Sequence, residues 1–102
     1  MKIAINCCYG GFSLSKAAYE ELGLDYDGYG YIFNEDLGIE SDSEHAYRAN
    51  PELIRAIEKI GEENAGGKYA SIRIIEIPDD VEWIIEEYDG VESVHEKHRV
   101  WY

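Results

Sequence analysis

Residues 70–90 read ASIRIIEIPDDVEWIIEEYDG, and the fold turns on how this stretch is divided. Two segments rich in isoleucine, 70–77 and 81–88, flank the turn chemistry of Pro78-Asp79-Asp80. That pattern predicts an antiparallel hairpin at the centre of a sheet, with 70–77 as a central strand. Asp89-Gly90 ends the second segment with another turn. Beyond it, 91–102 fits either a helix through Val91, Val94 and His98 or a strand ending at Tyr102.

Upstream, Pro51 follows Asn50 as N1 follows a cap, and Leu53, Ile54, Ile57 and Ile60 make a helical stripe that Gly61 ends. At the other end, residues 2–7 set Ile3 and Ile5 against Lys2, Ala4 and Asn6, the alternation of a half-buried strand. Gly10-Gly11 breaks it; Ser13 and Ser15 can cap a two-turn helix carrying Leu14, Ala17, Ala18 and Leu22, and Gly23 stands at its C′ position. Between the helices, 31–33 is a weak strand candidate and 34–44 an acidic loop. The order predicts one α+β domain over 1–102: a mixed or antiparallel sheet with two helices packed on one face.

The chain has 102 residues, enough for a single core. Its 22 acids against 9 Lys and Arg give −13, which argues against a basic nucleic-acid reader or a polybasic membrane binder. No apolar run is long enough to span a bilayer and no signal-peptide pattern opens the chain, so a cytoplasmic protein is expected. Cys7 and Cys8 are adjacent and form no disulfide framework.

Two stretches carry the candidate chemistry. Tyr9, Gly10, Gly11, Phe12 and Ser13 lead from a strand into a helix, where N–H groups and the helix dipole favour an anion. An ordinary tight βα turn is the simpler alternative, since the pattern is neither a P-loop nor G-x-G-x-x-G. At the C-terminus, His98, Arg99 and Trp101 combine a forked cation with a stacking ring. Arg48 can clamp a ligand or, more commonly, an acidic neighbour. Cys7, Cys8, His45, His95 and His98 match no zinc spacing, and no cofactor is expected. Cys8 with His98 as base is the enzymatic alternative, and no catalytic residue is assigned.

The motifs Cys8-Tyr9-Gly10-Gly11-Phe12-Ser13-Leu14-Ser15, Asn50-Pro51-Glu52-Leu53-Ile54, Ile77-Pro78-Asp79-Asp80-Val81-Glu82-Trp83, Glu87-Tyr88-Asp89-Gly90 and His98-Arg99-Val100-Trp101 resemble a family of small phage and prophage proteins. Ser13 departs from that pattern, where glycine often follows the Phe. The resemblance implies a phage setting inside a bacterial host and supplies no mechanism. The expectation is a non-enzymatic binding protein that sequesters a small anionic, nucleotide-like ligand against host defence. Its site would be Tyr9, Gly10, Gly11, Phe12, Ser13, Arg48, His98, Arg99 and Trp101. The alternative is an acidic inhibitor of a host nucleic-acid-binding protein, mimicking the nucleic acid itself. Expected partners are thus a small anion, a host protein or a second copy of the chain, with no direct nucleic acid and no membrane.

Overall fold

A computed structural model of the chain describes residues 1–97. Strand β1, Lys2–Asn6, pairs antiparallel with β2, Ile72–Glu76, with Ala4 opposite Ile74. Strand β3, Trp83–Tyr88, pairs antiparallel with β4, Val91–Glu96, with Ile85 opposite Val94. The hairpin expected between 70–77 and 81–88 is therefore not formed: its two halves lie in different two-stranded sheets. The reason is turn chemistry. Asp89 and Gly90 both take positive φ (52° and 88°), the requirement of a two-residue hairpin turn matched to strand twist. Pro78-Asp79-Asp80 is a connection instead, and β2 pairs back to the N-terminus, where the Ile77 N–H donates to the Met1 carbonyl at 2.8 Å. The segment 31–33 forms no strand, although Ile32 is buried.

Three α-helices occur among the described residues, one more than expected: α1, Lys16–Leu22; α2, Pro51–Ile60; and α3, Glu62–Ala65. The local signals place the first two. The Ser15 side chain accepts from the Ala18 N–H, and Gly23 closes α1 in the left-handed conformation. The Asn50 side chain accepts from the Glu52 and Leu53 N–H groups with Pro51 at N1. Single 3₁₀ turns cover Asn34–Leu37 and Ala46–Ala49. Leu14, Ala18, Leu53, Ile57, Ala65 and Ile72 are among the side chains of the core, which lies between the helices and the β1–β2 sheet.

Why the four strands do not merge into one sheet is visible at the free edge of β1. Its odd residues pair with β2, as the Cys7 N–H donation to Ser71 shows. The even residues turn their backbone groups the other way, toward β4. There the Asn6 N–H donates to Glu92 Oε1 at 2.8 Å and the Ala4 carbonyl receives Arg48 Nη1 at 3.3 Å. Side chains thus satisfy the edge where a third strand's backbone would otherwise bind. The β3–β4 hairpin is held beside β1 by Glu92 and by its ion pair with Arg48, with β3 on its outer side.

Candidate functional site

The Gly10-Gly11 loop lines an open depression of about 490 Å³ together with Tyr9, Glu87, Asp89 and Gly90. Its mouth carries two carboxylates, the wrong sign for a phosphate cradle. The loop's other expected contributors are also engaged. Phe12 is buried with its ring covered by the Arg48 guanidinium at 3.7 Å, and Ser13 is buried, its carbonyl accepting from Gly67. Tyr9 alone stands well out in solvent. His98, Arg99 and Trp101 lie outside the described residues, as does the base in the Cys8–His98 pairing.

Arg48 is 3 % exposed and forks onto Glu92, Nη1 to Oε1 at 2.6 Å and Nη2 to Oε2 at 2.8 Å. Among the described residues, its Nε is buried without a hydrogen-bond partner. The guanidinium lies between Phe12 and Tyr47, 5.0 Å from the Tyr47 ring centre. Arg48 is therefore turned inward to the β1 edge, where its partner is an acidic neighbour. Asn6 completes the node: its amide donates to the Cys8 and Gly90 carbonyls and its Oδ1 accepts from Cys8 and Ser71. Sequence reasoning missed Asn6 and Glu92. The alternation hid Asn6, which shares a side with Lys2 while β1 is buried on both faces, and Glu92 is one acid among 22.

Ser93 Oγ meets His95 Nε2 at 2.7 Å and Glu86 lies 3.5 Å from the same nitrogen, on an exposed strand face. A serine triad needs the carboxylate on the opposite ring nitrogen, to fix the tautomer. Cys7 and Cys8 are free and half-buried, and no group of metal-ligating side chains occurs among the described residues.

Another concavity is better furnished. A cleft of about 200 Å³ is lined by Tyr26, Tyr29, Tyr31 and Tyr69, with Lys68 and the backbone of Gly10. Its walls are fixed from behind. The Tyr19 hydroxyl donates to the Tyr31 carbonyl, and the Tyr19 ring meets Tyr26 edge-on at 5.4 Å. Burial and the nearby Asp27 and Asp36 push the Tyr19 phenol up to about 12. Asp27 accepts from the Tyr29 and Gly30 N–H groups, which holds its carboxyl below the usual aspartate range. The Leu14 N–H donates to Gly30, and Gly30 at φ 84° passes so close to Leu14 that a side chain would clash. Gly10 is needed for the same reason: a Cβ there would collide with the Tyr69 backbone. Gly10 thereby gives Tyr69 its close approach.

Residues 79–97 carry eight acids and one lysine, so the outer hairpin and its approach hold much of the net charge. Glu92 is buried and paired; Glu82, Glu86, Glu87, Asp89 and Glu96 are exposed, interspersed with exposed Ile84 and Tyr88. No described helix is long and apolar enough to cross a membrane. Comparison of the chain with family models, with curated proteins and with solved structures finds no match.

Proposed function

We propose that this protein is a non-enzymatic binding protein whose outer hairpin docks on a basic protein surface. One observation carries the reading: on β3 the exposed carboxylates Glu86 and Glu87 lie between exposed Ile84 and Tyr88, and β4 adds exposed Glu96. Carboxylates draw a basic partner in and set its orientation, while Ile84 and Tyr88 supply area to bury once it arrives. The resemblance to phage proteins makes a host nucleic-acid-binding protein the natural partner, with the hairpin occupying the groove that binds nucleic acid. Capture of a small nucleotide-like anion is a second reading, supported by Lys68 beside the tyrosine cleft.

The test compares the wild-type chain with Glu86→Lys/Glu87→Lys/Glu96→Lys as bait in extract of a bacterial host. Wild type should retain a basic protein that the charge-reversed variant does not, and duplex DNA should displace it. Equal retention by both baits, or indifference to DNA, would overturn the reading.

A further inference from the structure

We infer that the cleft between Tyr26, Tyr29, Tyr31 and Tyr69 is a separate site for one nucleobase-sized ring bearing a single phosphate. The inference deepens the second reading above and does not depend on the hairpin.

The chemistry of the lining selects the ligand. Tyrosine faces stack flat rings without regard to their identity, and four of them line this one cleft. Lys68 supplies the charge: its Nζ lies 5.3 Å from the Tyr69 ring centre, and it makes no ion pair with any described residue. In a chain of net charge −13, a lysine beside these tyrosine rings and without a described carboxylate partner is the local positive point that an anion requires. The exposed carboxylates Glu87 and Asp89 line the neighbouring depression across Gly10, and they are absent from this lining.

Size sets the limit. At about 200 Å³ the cleft is smaller than the ~300–1,000 Å³ typical of sites for drug-sized ligands. It has room for one ring, not for two stacked bases. One lysine matches one phosphate, so dinucleotides and polyphosphates gain no further partner here. The lining is also prepared in advance. Hydrogen bonds from Tyr19 to Tyr31, from Tyr29 and Gly30 to Asp27, and from Leu14 to Gly30 hold the backbone that carries the loop tyrosines, and the tight approach of Gly10 fixes the backbone of Tyr69. A wall already ordered loses little entropy when a ligand arrives.

The probe is adenosine 5′-monophosphate, titrated by calorimetry and followed by amide shifts, with adenosine and inorganic phosphate as separate arms. Lys68→Ala should weaken the monophosphate about tenfold or more while leaving adenosine unchanged. Tyr69→Ala should weaken both by about five- to a hundredfold, the loss of one stacking partner. Amide shifts confined to residues 26–31 and 68–69 support the site. Phosphate binding as well as the monophosphate does, a cyclic dinucleotide binding more tightly, or both variants titrating like wild type would overturn it. So would Tyr69→Ala abolishing capture of a host protein in a chain that binds no monophosphate, since the cleft would then receive a partner's side chain. That last result leaves the hairpin reading standing, because the charge-reversed hairpin variant is scored independently.

Discussion

Removing Glu92 exposes what holds the outer hairpin to the body. In Glu92→Ala the Arg48 guanidinium stays 3 % exposed and loses both forked bonds, of 2.6 and 2.8 Å, while the Asn6 N–H loses its acceptor. Breaking one side of a buried pair costs about 3–5 kcal/mol, because the remaining charge is stranded away from water. The Phe12 face under the guanidinium is there in the wild type as well, so this cation–π contact does not offset the loss. Against a total of about 5–15 kcal/mol for a domain of this size, the loss is a large share. Urea denaturation should show the loss directly, and thermal melting should show a Tm lowered by more than about 12 °C, taking ~4 °C per kcal/mol. The double variant Arg48→Met/Glu92→Leu should recover much of the loss, because no charge is then left unpaired. High salt should not reproduce the effect, since a buried pair is poorly screened. Single-variant losses below about 1 kcal/mol, or a double variant as unstable as the sum of the singles, would refute the reasoning.

Other outcomes follow from the same contacts. Asn6→Leu, which strands the Cys8, Gly90 and Ser71 backbone groups, should cost more than ~2 kcal/mol in the same urea assay. Ile57→Ala should cost about 2–5 kcal/mol, since Ile57 is fully buried in the helix layer. Asp89→Asn should keep or slightly raise Tm, because Asn-Gly suits the positive φ of this turn, whereas Gly90→Val should unfold the chain against the Tyr9 backbone. Raising the Tyr19 phenol to about 12 favours its protonated form in the folded state. Its contribution is therefore complete below pH ~10 and lost as pH climbs from ~10 to ~12, a limb of the alkaline stability curve that Tyr19→Phe should flatten.

The elements legible in the sequence were those fixed by neighbours in the chain. Asn50-Pro51, Ser15 and Gly23 act within a turn of their helices, and α1 and α2 lie where those residues put them. The alternation around Ile3 and Ile5 likewise announced β1. Strand pairing is a long-range choice, and there the Pro78 turn outweighed Asp89-Gly90 although only the latter has hairpin geometry. The Arg48–Glu92 node was illegible for a different reason: with 22 acids in the chain, nothing local marks Glu92 as the one that turns inward. The tyrosine cleft joins the loop at 26–31 to Lys68 and Tyr69 across some forty residues, so its parts appeared in the sequence only as aromatic residues among glycines. The remainder of the expected site, His98, Arg99 and Trp101, lies outside the described residues.

The claim that the outer hairpin is a docking surface for a basic partner is tested most directly by association kinetics of the captured partner across a salt series. A carboxylate-steered encounter predicts an association rate that falls steeply between ~0.05 and ~0.5 M salt, with dissociation changing far less. Glu86→Lys/Glu87→Lys/Glu96→Lys should slow association at low salt to near the wild-type rate at high salt. An association rate that is flat across the series, or unchanged by reversing those three charges, would contradict the account.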